Sequence, residues 1–194
     1  MIIKKRLYTI KKQIMTTLEF CTNFYKNAYF GGYPTKTEFN ELLQKVRISE
    51  FIDLTTIKER QSLSYNYEFD LKNNRDISYR NYCILDNKIP KCTETFLKLV
   101  LFTAEKIKKN TAVYIHCKGG HGRSSLFVAC LFMYLLSYNS EQSLYQTKEF
   151  HKQRKNLKDK YKDIEVPSSI LQRKYIDIIC EKIQHILKKK GNVK

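Results

Sequence analysis

The sequence contains no segment that would form a flexible linker. Only 6 of its 194 residues are glycine and 3 are proline, and no internal repeat is visible, so we expect one domain. The longest apolar run, from Leu126 to Leu136, is shorter than the roughly 20 residues that a membrane-spanning helix needs. The basic start, residues 1–12, lacks the uninterrupted apolar core of a secretory signal. We therefore expect a protein of the cytoplasm or nucleus that is not secreted and has no transmembrane segment.

Regular cysteine spacing is also missing. The six cysteines, at positions 21, 83, 92, 117, 130 and 180, form neither a disulfide framework nor a Cys-x-x-Cys metal site. This pattern is typical of a protein from a reducing compartment.

Acidic residues are few relative to basic ones. The chain has 36 Lys and Arg against 19 Asp and Glu, which gives a formal net charge of +17. Such a charge attracts anionic partners, among them a phosphorylated protein, an anionic lipid headgroup and a nucleic acid. Biased codon usage that enriches lysine on the surface explains the same excess, so charge alone does not choose a partner.

The most informative segment is HCKGGHGRSS, from His116 to Ser125. It follows an apolar β-type run at residues 112–115 and precedes the apolar run that begins at Leu126. A strand, a glycine-rich loop and a helix in this order form a cradle of backbone N–H groups for an anion. A cysteine at the base of that cradle, Cys117, is a candidate nucleophile.

Each residue type in this segment suits such chemistry. A helix start and a nearby guanidinium favour the thiolate form of Cys117. Arg123 offers a bidentate fork for two phosphate oxygens, and Ser124 is expected to donate a hydrogen bond to the departing sulfur. His116 is expected to order the loop. The predicted phosphate-binding positions are Lys118, Gly119, Gly120, His121, Gly122 and Arg123.

The pattern His-Cys-x-x-Gly-x-x-Arg-Ser resembles the signature of the cysteine-based protein tyrosine phosphatase superfamily. The likeness covers roughly residues 25–185, although Ser125 stands where that family usually has glycine. It implies a single α/β domain of the small dual-specificity type, with a central, mainly parallel sheet flanked by helices. It also implies hydrolysis of phosphomonoesters through a cysteinyl-phosphate intermediate, with neither a metal nor another cofactor.

The resemblance further implies a general acid on an upstream loop that ends in proline. Asp86, which follows an apolar strand end and precedes Pro90, fits this position. Two other upstream carboxylates are alternatives, Asp70 and Asp76. Glu59 is the candidate carboxylate that braces Arg123 from beneath.

Two more roles are suggested only by relatives in that superfamily. Gln172 loosely resembles a water-positioning glutamine, but we expect an ordinary surface position on a helix. Cys83, close in sequence to the acid loop, is a candidate partner for a protective disulfide with Cys117, with an ordinary half-buried thiol as the alternative.

The substrate is expected to be a phosphoprotein. The chain has no dedicated tyrosine-clamping loop of the kind found in larger phosphotyrosine-specific domains, which favours a shallower pocket. Phosphotyrosine is therefore expected first, followed by phosphoserine and phosphothreonine. Phosphoinositides and RNA 5′-triphosphates are alternatives, because Lys118 resembles a residue of inositol-lipid phosphatases and the positive charge suits RNA. No aromatic and basic RNA-binding motif is present, however.

Other interpretations of the loop fit less well. The phosphate loop of NTPases ends in Gly-Lys-Ser/Thr, whereas this loop ends in Gly-Arg-Ser. A metal site at His116, Cys117 and His121 lacks a completing ligand pair. A rhodanese-like sulfurtransferase would need neither the spacing from Cys117 to Arg123 nor the acid loop. A catalytically weak scaffold that only binds phosphate stays open.

Hydrophobic periodicity predicts alternating strands and helices. We predict strands at 28–31, 50–54, 65–69, 82–85 and 113–115, and helices at 38–46 (capped by Thr37), 93–108, 124–137, 140–153 and from 168 onward. The catalytic domain is placed at 25–187, after a basic helical extension at 1–24 and before a basic tail at 188–194.

Overall fold

The computed structural model describes residues 18–71, 74 and 76–191. Its centre is a five-stranded sheet in the order β1-β2-β5-β3-β4. In chain order the strands are β1 (Cys21–Tyr25), β2 (Ala28–Gly31), β3 (Glu50–Asp53), β4 (Ser78–Asn81) and β5 (Val113–His116). β1 pairs antiparallel with β2, and the three other pairs are parallel. The predicted α/β fold with a mainly parallel sheet is confirmed.

Helices cover both faces of the sheet. They are α1 (Lys36–Gln44), α2 (Ile57–Gln61), α3 (Glu68–Leu71), α4 (Thr93–Lys108), α5 (Arg123–Leu136), α6 (Ser140–Lys152) and α7 (Ile170–Gly191), with a 3-10 turn at Asp159–Tyr161. Because side chains alternate along a strand, β5 contributes to two hydrophobic clusters. Val113 and Ile115 pack with α4, α5 and α7, and Tyr114 packs with α1 on the opposite face. In the part of the chain described above, no helix is long and apolar enough to cross a membrane.

The helix that follows the glycine-rich loop lies at the centre of the larger cluster. Every residue of α5 from Arg123 to Tyr134 is buried, and the helix packs against α4, α6, α7, β2 and β5. A helix that is apolar on all sides is stable only when it is enclosed in this way. The loop is therefore anchored at both ends, by a central strand and by a fully enclosed helix.

The cap of α1 differs from the prediction. Thr35, not Thr37, is the N-cap: its hydroxyl accepts a hydrogen bond from the Glu38 backbone N–H, and Glu38 Oε2 accepts from the Thr35 N–H at 2.8 Å. This reciprocal pair requires Glu or Gln three residues after the cap. Asn40 stands three residues after Thr37, so that residue does not complete the pair.

Two of the predicted strands are wrong. The segment 65–69 alternates like a strand, but Asn66 Oδ1 accepts a hydrogen bond from the Glu68 N–H at 3.1 Å and starts the short helix α3. The segment 82–85 lies just beyond β4, which begins four residues earlier. It lies beside the end of β3, where the Ile84 N–H donates a hydrogen bond to the Leu54 carbonyl at 3.2 Å.

The expected helical extension at 1–24 is corrected at its end. Residues 21–24 belong to β1, where Thr22 is paired with Phe30 of β2, so the boundary placed at 25 cuts through a strand. Burial of Cys21 and Phe24 against the core favours pairing over a separate helix. Residues 1–17 lie outside the described residues. At the other end α7 continues to Gly191, and the rest of the expected tail, 192–194, is likewise outside them.

Candidate active site

Cys117 lies at the carboxyl end of β5, at the start of the loop that leads to α5. Its side chain is 2% exposed, and its Sγ accepts a hydrogen bond from the Gly120 N–H at 3.3 Å. Gly120 has a φ of +78°, and a Cβ there would come within 2.5 Å of both Arg154 Nη1 and the Gly31 carbonyl carbon. Only glycine fits such a position. Gly120 therefore allows the loop to turn tightly enough for its N–H to reach the Cys117 sulfur.

The predicted catalytic residues meet in one cleft of about 450 Å³. Cys117, Arg123 and Asp86 all line it, and Ser124 Oγ lies 3.5 Å from the Cys117 sulfur. Because Ser124 is in the first turn of α5, its hydroxyl and the positive end of the helix dipole face the sulfur together. The arrangement suits a sulfur nucleophile, because its negative charge needs stabilisation both before it attacks and when it later acts as the leaving group.

Glu59 holds Arg123 in a bidentate ion pair. Arg123 Nη1 and Nη2 donate to the two carboxylate oxygens at 2.7 Å each, and Nη1 also donates to the Ile84 carbonyl at 2.9 Å. Burial raises the pKa of Glu59, but hydrogen bonds from Arg123 and Thr56 outweigh it and lower the pKa to about 2. The carboxylate thus stays ionised and fixes the guanidinium beneath the loop.

Asp86 lies on an exposed loop at the rim of the cleft. Its side chain is 71% exposed, and Oδ1 is 3.3 Å from Arg123 Nη2. Of the alternative acids, Asp70 accepts a hydrogen bond from the Tyr65 hydroxyl, and neither it nor Asp76 is among the described residues that line the cleft. The geometry therefore places Asp86 at the cleft that contains Cys117, whereas the two alternatives are not part of its lining.

The start of α7 fastens the acid loop. The Ser169 hydroxyl donates to the Asn87 carbonyl at 2.9 Å, and Gln172 Nε2 donates to the Lys88 carbonyl at 2.8 Å. The expected surface position of Gln172 is wrong, because its side chain is fully buried against Gly122. Its Oε1 has no hydrogen-bond partner among the described residues. One glutamine therefore touches both the acid loop and the phosphate-binding loop.

His116 supports the base of the loop from inside the protein. It is completely buried and shares a hydrogen bond of 2.5 Å with the Tyr67 hydroxyl through Nε2. Burial lowers the pKa of His116, although the Asp53 carboxylate, 3.8 Å from Nδ1, opposes this effect. The ring is thus neutral at pH 7 and acts as a fixed polar contact below the nucleophile.

His121 contributes no charge to the loop. Its Nδ1 lies 2.9 Å from His151 Nε2, and its ring stacks on Tyr161 with centroids 4.0 Å apart. Burial, followed by the charge of Arg154, lowers the pKa of His121 to about 4. Besides Arg123, the loop therefore has one further cation, Lys118, which is exposed and lines the cleft.

The cysteines give no sign of a disulfide. All six are free thiols, and Cys83 is exposed, with its Sγ 3.0 Å from Asn81 Oδ1. Cys117 is the only cysteine among the described residues that line the cleft. In the same part of the chain, no group of three or more His, Cys, Asp or Glu residues is arranged to hold a metal ion.

Sequence reasoning missed two residues that contact the site. Arg154 Nη1 donates to the carbonyls of Gly119 and Gly120 at 3.3 Å each, and Ser169 holds the acid loop. Arg154 precedes a lysine-rich segment in which no single cation stands out. No local pattern indicates a partner more than thirty residues away.

Comparison with known proteins agrees with this geometry. Residues 28–164 match the family described as "Dual specificity phosphatase, catalytic domain". "Putative tyrosine phosphatase 067L" of Invertebrate iridescent virus 3 is 34% identical over 152 residues, which cover 77% of this chain and 60% of that protein. The chain thus spans less than two thirds of the length of this curated relative. The chain belongs to the dual specificity phosphatase catalytic domain family.

Solved structures share the fold. PTPMT1 in complex with PI(5)P aligns with a TM-score of 0.70 at 15% identity, over 87% of this chain and 99% of that one. Kinase associated phosphatase (KAP), with its catalytic-site cysteine substituted by serine, aligns with a TM-score of 0.68 at 19% identity, over 88% of this chain and 98% of that one. At these identities the similarity shows the fold alone.

Proposed function

We propose that this protein is a metal-independent phosphatase that hydrolyses phosphomonoesters through a cysteinyl-phosphate intermediate. One observation carries the proposal: the Cys117 sulfur, the Arg123 guanidinium and the Asp86 carboxylate line a single cleft. Two-step hydrolysis of a phosphate ester needs these three groups, a nucleophile, an anion-binding fork and a proton donor.

In the first step the Cys117 thiolate attacks phosphorus, and the bond from phosphorus to the ester oxygen breaks. The Gly120 N–H, 3.3 Å from the sulfur, stabilises the attacking negative charge. Glu59 and Ile84 occupy three N–H groups of Arg123. Its Nε–H and the second Nη2–H remain to bind two equatorial oxygens, where they stabilise the transition state.

Asp86 and the substrate phosphate approach the same guanidinium. Asp86 Oδ1 is 3.3 Å from Arg123 Nη2, so a bound phosphate displaces the carboxyl toward the leaving oxygen, which Asp86 then protonates. In the second step water attacks phosphorus, Asp86 takes the proton, and the bond from sulfur to phosphorus breaks. The Ser124 hydroxyl, 3.5 Å from the sulfur, donates to the departing thiolate.

Phosphotyrosine proteins are the first substrate class, with phosphoserine and phosphothreonine proteins next. The relative named as a tyrosine phosphatase supports this order. Phosphoinositides are the second candidate, because exposed Lys118 adds positive charge to the cleft and PTPMT1, which shares the fold, was solved with PI(5)P. A thiol nucleophile needs a reducing compartment, so we place the protein in the cytoplasm or nucleus.

The test is phosphate release from p-nitrophenyl phosphate and from a phosphotyrosine peptide, in reducing buffer with a chelator. Wild type should hydrolyse both, and Cys117→Ser should hydrolyse neither while it still binds phosphate. Equal activity in the variant would exclude the cysteine mechanism. If the wild type is inactive on both, phosphatidylinositol phosphates and RNA 5′-triphosphate follow, and inactivity on all of them would leave the phosphate-binding scaffold.

A further inference from the structure

Three large aliphatic side chains, those of Ile57, Leu85 and Ile170, protrude from the surface around the cleft that contains Cys117. They are between 54% and 64% exposed, and none of them lines the cleft itself. A single exposed aliphatic side chain is ordinary in a folded protein. These three differ from that case in their position, and we call them the apolar rim.

Each member of the apolar rim stands beside a group that the chemistry uses. Leu85 directly precedes Asp86, and Ile170 begins α7, whose first turn fastens the acid loop. Ile57 begins α2 and is two residues before Glu59. α2 follows β3 and the acid loop follows β4, so both start at the carboxyl edge of the parallel strands, as the loop after β5 does.

The lysines beside the apolar rim have free charges. Lys58, Lys88 and Lys174 are exposed, and each lies within four residues of a rim member. Lys118 adds a fourth exposed charge in the wall of the cleft. Within the described residues, none of the four forms an ion pair with Asp or Glu, whereas lysines of α1, α4 and α6 pair with a glutamate of their own helix. These four charges are therefore available to an anionic surface.

We propose that the face of the protein that contains the cleft binds the surface of an anionic lipid bilayer. The apolar rim inserts between the lipid headgroups, and the four lysines contact the anionic headgroups from the same side. The strength of such binding depends on the apolar area that enters the interface and on the attraction between cations and anionic lipid. Binding requires no turnover, so the inference goes beyond the proposed phosphatase activity and does not depend on it.

The form of this surface favours a bilayer over a folded partner or a peptide. A pocket for a ligand is concave, whereas the members of the apolar rim protrude and belong to three separate segments. Lipids rearrange around separate protruding side chains, but a folded partner would need a hollow for each of them. The carboxylates next to the rim in the sequence, Glu59 and Asp86, both lie against Arg123, so little negative charge opposes an anionic surface.

The experiment measures co-sedimentation of the full chain with vesicles of phosphatidylcholine alone and with vesicles that also contain phosphatidylserine. The wild type should bind the anionic vesicles far more tightly, and added salt should weaken this binding because it screens the lysines. Ile170→Ser should lower the partition coefficient about 10-fold, the effect of keeping one large aliphatic side chain out of the lipid. Lys58→Ala should lower it about 5-fold, the value of one lysine near an anionic membrane.

Each variant has a matched control. Ile178 is also on α7 and is 51% exposed, but it lies eight residues further along the helix than Ile170, so Ile178→Ser should leave binding unchanged. Lys45→Ala removes the same charge as Lys58→Ala, but from the last turn of α1, where Lys45 pairs with Glu41, and should change binding little. Circular dichroism checks that every variant is folded.

Failure of the wild type to bind anionic vesicles would overturn the proposal. Equal losses in Ile170→Ser and Ile178→Ser, or unchanged binding in every variant, would overturn it too, because lipid would then contact another part of the chain. If vesicles did not bind but Ile170→Ser alone raised KM for a phosphotyrosine peptide, the apolar rim would be a peptide contact instead. Cys117→Ser separates the two proposals, since it should abolish hydrolysis and leave vesicle binding intact.

Discussion

Replacing Glu59 with Gln tests the ion pair on which the geometry of the cleft depends. The amide keeps the size of the side chain but removes the charge opposite Arg123, which is 2% exposed. The pKa of Glu59 is about 2, against an ordinary value of 4.5, which corresponds to about 3 kcal/mol of stability at neutral pH. Because the Glu59 side chain is 17% exposed, water screens part of this energy. We therefore expect E59Q to lower the free energy of unfolding by about 1 to 3 kcal/mol.

Urea unfolding at pH 7 measures this loss, with Glu165→Gln as the matched control. Glu165 also pairs with a lysine, Lys148, but its side chain is 60% exposed, so its removal should leave the midpoint nearly unchanged. If E59Q were no less stable than E165Q, the pair would not carry the stability that we assign to it.

The stability that the pair of Glu59 and Arg123 contributes should decrease as the pH falls. A carboxyl whose pKa is lowered by folding contributes stability above its unfolded pKa, near 4.5, and loses it as the pH falls toward 2. The difference between wild type and E59Q should therefore be full at pH 6 and should shrink steadily below pH 4.5. A difference that stayed constant down to pH 2.5 would refute an electrostatic origin.

Three further substitutions test the acid, its support and a helix cap. Asp86→Ala should lower kcat by roughly 10²- to 10⁴-fold, and Asp70→Ala should leave it unchanged; equal losses in steady-state assays would move the acid to another carboxylate. Gln172→Leu removes the hydrogen bond to the acid loop and should lower kcat about 3- to 10-fold with little change in KM, the value of one hydrogen bond; an unaltered kcat would show that the contact is dispensable. Thr35→Ala should reduce stability to urea by about 1 kcal/mol, whereas Thr37→Ala should not, and the reverse order would contradict the observed cap.

Local patterns in the sequence account for the elements that were predicted correctly. The helix at 93–108 coincides with α4, because its apolar residues repeat with the helical period over four turns. The loop at Cys117 is likewise local, since the nucleophile, the glycines and the fork lie within seven residues. The prediction failed at 65–69, where alternating tyrosines are as compatible with a strand as with a turn. There the Glu68 N–H donates to Asn66 Oδ1, and the Asp70 N–H donates to the Tyr67 carbonyl, so the chain forms a short helix instead.

Contacts between residues that are far apart in the sequence could not be predicted from such local patterns. Gln172 and Lys88 are 84 residues apart, and the buried position of Gln172 depends on how α7 packs. The pair of Glu59 and Arg123, 64 residues apart, was expected only because the chain resembles a known family. The spacing of charged and amide side chains in the sequence does not indicate which residues they contact. Their partners can therefore be identified only in the folded structure.

The two sides of the cleft differ in how firmly the fold holds them, and hydrogen exchange should reveal this. The nucleophile leads into α5, where every residue from Arg123 to Tyr134 is buried. The acid loop exposes Asp86, Asn87 and Lys88. Amides in an enclosed helix exchange with deuterium only when the whole domain unfolds, whereas those of an exposed loop exchange through brief local openings. We therefore expect deuterium to enter the acid loop within seconds, while the central turns of α5 stay protonated for hours. The acid and the nucleophile thus lie on parts of the domain that open at very different rates.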